Sequence, residues 1–436
     1  MIKKPYNINI GLAAGIGALA CLVTGIVSIS DAFLAMYDIW DAAFAFVGIV
    51  ALSVTLEIMG FFKWAALRVV RLARGNGIKL YLYIGFLSAT VSILFANDSA
   101  VLILTPIVLE IVKQLNIDEK GRMAYLFAAG LIADTAAMPL ITSNPINIVS
   151  ADYFNYTFIE HMIFMVPVSI ITITLSILIV FLFFKDKIPR IFNPSLIDTL
   201  IVNGAIISQT QIKLSFLTLI AVDTLYVIAS LNRIPVSYVI CSGAVFLILV
   251  FYLTEHKKYA FEEEKKGLVT IVKRINWDIL VFMLGIFLVV QGLRHVGITN
   301  LFTQIFIWTL TLPSFLKILA PSLIITISAS IMNNWPMTLL GLLSVEETIL
   351  LHNLNASQST GLIFSNIIGN NIGPHFFPIG SLAILMWLNT MKQKGLEIRL
   401  IDYLRVGSVL SIIEVIAASI VLWIELDFLK WAISTI

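Results

Sequence analysis

The chain has 436 residues, of which 59% are hydrophobic and only 12% charged, with a formal net charge of +2. Soluble domains carry about a quarter of their residues as charges, so a mean hydropathy of +0.98 excludes that class and selects an all-α polytopic membrane protein. With only Cys21 and Cys241, a disulfide framework and a cysteine metal cage are excluded too.

Met1-Ile-Lys-Lys-Pro-Tyr6 leads into an apolar run at 8–30, read as a retained first helix because no small-residue cleavage site follows it cleanly. Further spans, each near the ~20 residues that a hydrocarbon core demands, are predicted at 39–62, 160–184, 213–230, 235–253, 276–297 and 403–427. Segments 78–115 and 314–351 are interrupted midway by Asn97-Asp98 and Asn333-Asn334. A bare polar turn cannot sit in lipid, so each is read as a re-entrant helical hairpin with its tip packed inside protein. Runs 122–155 and 360–391 are too long and too broken for simple spans. The first contains Pro139 and Thr142-Ser143-Asn144-Pro145, the second Gly369-Asn-Asn-Ile-Gly-Pro374 and Pro378-Ile-Gly-Ser381. Proline removes an amide donor and clashes with the preceding turn, so both are predicted to unwind. About nine to ten spanning helices result. Lys63, Arg68, Arg71 and Arg74 mark 62–76, matched by 299–312, as an amphipathic arm at the cytoplasmic interface. The loops at 185–212 and 254–275 are polar, and Phe261-Glu-Glu-Glu-Lys-Lys266 reads as a solvated helix face.

The second half repeats the first. Phe95-Ala-Asn-Asp-Ser99 is echoed by Ile331-Met-Asn-Asn-Trp-Pro336, Trp40-Asp41 with Gly48 and Gly60 by Trp277-Asp278 with Gly285 and Gly297, and Asp134 falls on Asn370. The organisation is therefore a first repeat at 1–190, linking loops and helices at 191–275, and a second repeat at 276–436. With both hairpins re-entrant, all but four of the 28 Lys and Arg fall on one side; the exceptions are Arg233, Arg294, Lys317 and Lys430. This places the N-terminus in the cytoplasm and the C-terminus outside, and makes the repeats inverted, as alternating-access carriers require.

Two hairpin tips and two unwound helices make one polar site near the midplane. The substrate-binding candidates are Asn97, Asp98, Ser99, Thr142, Ser143, Asn144, Asn333, Asn334, Gly380 and Ser381, with Asn147, Asn370 and Asn371 nearby. Asp98 and Asp134 are the proton-coupling candidates, because an ionisable group inside a membrane is costly and by default functional. Both also suit helix caps. Glu57 and Arg294 are expected to reach interfaces or loop partners, Glu110 and Glu414 to be paired within the bundle, and Asp223 is an outlying candidate for a proton path. His375, beside Pro374, is either a donor to substrate or structural, the commoner role of a lone histidine. No metal site, catalytic residue, cofactor or nucleic-acid partner is implied.

Leu94-Phe-Ala-Asn-Asp98 with Leu102-Ile-Leu-Thr-Pro-Ile-Val108, Gly130-Leu-Ile-Ala-Asp-Thr135, Asn147-Ile-Val-Ser-Ala-Asp152, Met332-Asn-Asn334, Pro378-Ile-Gly-Ser-Leu-Ala383 and Glu57-Ile-Met-Gly-Phe-Phe-Lys-Trp-Ala-Ala66 resemble strings of the arsenite permease family, the membrane subunit of arsenical efflux systems. The resemblance covers about residues 9–405. Three features depart from it: family members often carry one more helix before 8–30, the second break lacks an expected acid and lysine, and Trp335 is bulkier than expected. The resemblance implies export of arsenite and antimonite across the inner (plasma) membrane in exchange for protons. It also implies that a soluble arsenite-stimulated ATPase can dock; this chain has no Gly-x-x-x-x-Gly-Lys-Ser/Thr run of its own. Arsenous acid is a neutral triol that asparagine, serine and threonine can hydrogen-bond through oxygen and nitrogen, without cysteine. A sodium–proton antiporter of the same fold group is the alternative reading. An intramembrane hydrolase is disfavoured because no His-Glu-x-x-His or Gly-x-Ser-x-Gly run is present.

Overall fold

The computed structural model describes residues 9–193, 208–255, 268–275 and 277–433. The 261–266 charge run, Lys3 and Lys4 lie outside these residues. Helix α1 (Ile10–Val23) stops before Gly25, whose φ of 73° suits a residue without a β-carbon. Ser28 and Asp31 then form a capping box that starts α2 (Ile29–Met59). This early turn corrects the first expected boundary: the run at 8–30 holds only a 14-residue helix, and the helix that carries the span predicted from 39, Ile39–Met59, already begins at Ile29. Gly60, at φ 86°, ends α2 and opens α3 (Phe61–Ala73), which buries Phe61, Phe62, Ala66, Val70 and Ala73 and carries its basic residues on the other positions.

Helices α4 (Gly77–Phe95) and α5 (Asn97–Gln114) form the first hairpin, with Ala96 as its whole turn. The chain continues through α6 (Glu119–Phe127), a π turn at Ala128–Ile132 and the short α7 (Ala133–Thr135). It then unwinds, regains a 3-10 turn at Ile141–Ser143, and restarts as α8 (Pro145–Phe154) on the Asn144 side-chain cap. Next come α9 (Phe158–Phe184), α10 (Gln209–Leu231), α11 (Val236–Glu255) and α12 (Leu268–Arg274). The second half follows the same order. It has α13 (Trp277–His295), a left-handed Gly297 at φ 84°, α14 (Ile298–Leu310), and a hairpin of α15 (Leu316–Met332) and α16 (Asn334–His352). Helix α17 (Ala356–Phe376) is followed by a break with a 3-10 turn at Pro378–Gly380, then α18 (Leu382–Gln393) and α19 (Leu400–Asp427). Among the described residues, seven helices are long and apolar enough to cross a membrane.

The backbone fixes the correspondence between halves. Ala96 sits at φ 63°, ψ 149° and Asn333 at φ 82°, ψ 148°, a region that costs a residue with a β-carbon about 1–3 kcal/mol. Asn144 and Ser381 are the matching caps after the two breaks. Asn97 therefore corresponds to Asn334, Asp98 to Trp335, and Asp134 to Asn371. The sequence register, which set Asn97 on Asn333 and Asp134 on Asn370, was one residue short. Matching asparagines misled it: Asn333 is itself the strained tip, whereas Asn97 opens the helix after the tip.

The first helices are exchanged. α1 packs along α13 and α11 along α2. Asp278 Oδ1 accepts from the Gly11 N–H at 3.2 Å, and Asp41 accepts from the Val236 and Ser237 N–H groups at 3.1 and 2.9 Å. The aspartates are counterparts, each holding free amides at the start of a helix distant in the chain, where a carboxylate also complements the helix dipole. Glu57, expected to reach an interface or loop partner, pairs with Arg274 at 3.2 Å. Where α19 crosses α17, a β-carbon on Gly407 would lie 2.2 Å from the His375 carbonyl oxygen. Gly407→Ala is expected to cost about 1–3 kcal/mol of stability, read as a lower melting temperature of the purified protein; an unchanged melt would show that α17 can retreat there.

Candidate functional site

The tips and breaks converge on groups withdrawn from solvent. Asn97, Asp98 and Ser99 occupy the first turn of α5, all buried. Asn97 Oδ1 accepts from the Asp98 N–H at 2.9 Å, which turns its amide nitrogen toward Asp134, to which it donates at 2.8 Å. Asp134 lies on α7, beyond the π turn, and Ser92 of α4 donates to the neighbouring Ala133 carbonyl at 2.5 Å. From the second half, Ser381 Oγ lies 3.5 Å from Asp134 Oδ1. The carboxylate is thus held by the tip of one half and by the helix cap of the other.

The reciprocal contact exists as well. Asn144, the cap corresponding to Ser381, donates to Asn371 Oδ1 at 2.9 Å, and Asn371 corresponds to Asp134. Asn371 also donates to Asn147 Oδ1 at 3.1 Å, while Asn147 donates to the Ala137 and Leu140 carbonyls inside the first break. The same contact is thus made twice with the partners exchanged. One half fills this position with an acid and the other with an amide.

Other predicted residues divide by role. Ser143 Oγ donates to the Ile93 carbonyl at 2.9 Å, and Gly380 passes so close to Pro374 and Ser330 that a β-carbon would lie about 3 Å from their backbones. Both hold a break against a hairpin. Thr142 is buried beside Ser143. Asn333 donates to the Ile379 carbonyl at 3.1 Å. The side-chain oxygens of Asn334 and Asn370 are buried without a hydrogen-bond partner among the described residues, and such acceptors are costly unless a solute or water meets them.

Two residues given lower rank in the sequence complete the site. His375, at the end of α17, has Nδ1 2.8 Å from Glu414 Oε2 and Nε2 3.3 Å from Asp134 Oδ2. The latter distance suits an ion pair but not a hydrogen bond, since neither atom has an aligned partner. All three side chains are at most 1% exposed. Thr135 Oγ1 lies 2.9 Å from Glu414 Oε1, and Tyr403 donates to the Pro374 carbonyl at 2.9 Å, fixing the turn that carries His375. A protonated imidazole between two carboxylates compensates charge that would be prohibitive alone in such surroundings. The available signals were an acid in the middle of the apolar 403–427 run and a histidine directly after a proline within the 360–391 run.

The family model for arsenical pump membrane proteins (ArsB) matches residues 1–426. The chain is 35% identical over 440 aligned positions to an arsenical pump membrane protein of Escherichia coli, covering 98% of this chain and 96% of that one. It is 34% identical to an arsenical pump membrane protein of Yersinia enterocolitica, covering 94% and 92%. In fold it is similar to the Alcanivorax borkumensis YdaH transporter, whose crystal structure is described as having an unusual topology: TM-score 0.57 at 13% identity, covering 98% and 99%.

Proposed function

Because the chain belongs to the arsenical pump membrane protein family, whose members are bacterial multi-pass transporters, we propose that it exports arsenite and antimonite from the cytoplasm in exchange for protons, by alternating access. One observation carries this reading: among the described residues, Asp134 is the single buried carboxylate gripped both by the first hairpin tip, through Asn97, and by the second-half cap, Ser381. While it is ionised, charge-assisted hydrogen bonds hold tip and break together. The ionised carboxylate can also accept from the hydroxyls of a neutral triol, and protonation replaces that acceptor with an O–H. Proton and substrate therefore compete for Asp134, which is the requirement for exchange. Asp98, one residue from Asn97, is the second coupling candidate. Asn97, Ser99, Thr142, Asn144, Asn333, Asn334 and Ser381 supply the surrounding donors and acceptors.

The exchanged contacts support two related halves, and the placing of all but four Lys and Arg on one side supports hairpins entering from opposite faces and a C-terminus outside the inner membrane. One proton moving down 100 mV releases about 2.3 kcal/mol, roughly fiftyfold accumulation of a neutral solute. The test is arsenite uptake into everted vesicles with an acid interior, with and without sodium. Gradient-driven uptake, slowed about tenfold or more in Asp98→Asn, is the expected result. Uptake that ignores the pH gradient, or sodium-stimulated proton flux without arsenite, would sink the exchange reading.

A further inference from the structure

Protons bound for Asp134 need a route, and Glu414 extends the buried network away from the hairpin tips. Thr135 Oγ1, 2.9 Å from Glu414 Oε1, is also 3.2 Å from Ser176 Oγ on α9. α9 packs along α19 from this bridge to a ring contact between Phe164 and Trp431 at 6.3 Å, so the two helices run antiparallel. Ser169, Thr172 and Ser176 succeed one another at helical spacing on one face of α9, each at most 1% exposed. On α19, Glu425 lies three turns beyond Glu414, about 16 Å further and on the same side of the helix. It is only 2% exposed. Both of its carboxylate oxygens and Ser169 Oγ are buried without a hydrogen-bond partner among the described residues. Unpaired acids and hydroxyls in such surroundings are expensive, and polar sites of this kind draw internal water.

We propose that the α9–α19 interface is the proton route to the transport site, running from Glu425 past Ser169, Thr172 and Ser176 to Glu414, His375 and Asp134. The inference rests on the proton-exchange reading and supplies its path; on the proposed orientation Glu425 stands at the outer end. Each group releases one proton inward as it receives one from outside. His375 takes a proton at one ring nitrogen and releases one from the other, and Asp134 ends protonated. Only O–H and N–H bonds change, and nothing is oxidised. The ionisable groups on the elements packed here are Lys79 on α4, Glu119, Lys120 and Arg122 on α6, Asp134 on α7, Glu160 and His161 on α9, Lys213 and Asp223 on α10, Lys317 on α15, His375 on α17, and Asp402, Arg405, Glu414, Glu425 and Asp427 on α19. Of these, Asp134, His375, Glu414 and Glu425 form the buried line.

The experiment compares the full chain with Glu425→Gln and Glu425→Asp in everted vesicles, measuring pH-driven arsenite uptake and arsenite counterflow at equal pH. Counterflow exchanges substrate for substrate and needs no net proton movement. Glu425→Gln is expected to slow driven uptake about tenfold or more while changing counterflow less than about twofold, with Glu425→Asp regaining part of the rate. Counterflow lost together with driven uptake would overturn the route in favour of a structural role. Driven uptake that Glu425→Gln leaves intact would overturn the route alone. Wild-type uptake indifferent to the gradient would overturn the exchange reading and the route with it.

Discussion

Asp134→Asn is expected to abolish gradient-driven arsenite transport, by about a hundredfold or more, while the protein still folds. The amide has the carboxylate's shape, and its oxygen can still accept from the Asn97 amide and the Ser381 hydroxyl, so the tip and cap keep their places. It has no charge to give up and no proton to gain. The contact between hairpin and break then has the same strength on both sides of the membrane, and nothing couples its release to the gradient. Driven uptake in everted vesicles, with a melting curve of the purified variant, checks both halves of this expectation. Transport within a few-fold of wild type would remove Asp134 from coupling.

His375→Leu is expected to show the second large effect, on stability. The imidazole is the one cation candidate between Asp134 and Glu414 among the described residues, and all three side chains are out of solvent. Removing one partner of a buried ionic cluster costs about 3–5 kcal/mol, because the remaining charges are left uncompensated. Replacing Glu414 as well, in His375→Leu/Glu414→Leu, removes one of those charges and is expected to recover much of the loss without restoring driven transport. Thermal melting of the two variants against wild type decides it. A single variant as stable as wild type would mean that His375 compensates no charge.

Composition and local pattern alone established the membrane class, the two hairpins, the first broken helix and the family, whereas the second run breaks only at Phe377–Ser381 and α17 stays helical through Gly369–Pro374, where unwinding was also expected. Each rests on a signal carried within a few dozen residues: hydropathy over the length of a bilayer, proline inside a long apolar run, asparagine at a mid-run break. The hairpins at 78–115 and 314–351 agree with α4–α5 and α15–α16 to within two residues at either end. Asp134 could be singled out by the cost of an acid in such a run, but its partners could not. Asn97, Ser381, His375 and, through His375, Glu414 reach it from four other helices, and which helices meet is decided by side-chain packing between segments up to 280 residues apart. For the same reason Asp41 and Asp278 read in sequence only as repeat mates, and the fold alone shows each holding the start of a helix distant in the chain. The one-residue error in the repeat register has this origin too. Side-chain identity aligned the asparagines, whereas strained backbone dihedrals at Ala96 and Asn333, invisible until the chain is folded, define the tips. A sequence states which groups are too costly to bury alone; only the tertiary structure decides which other group compensates them.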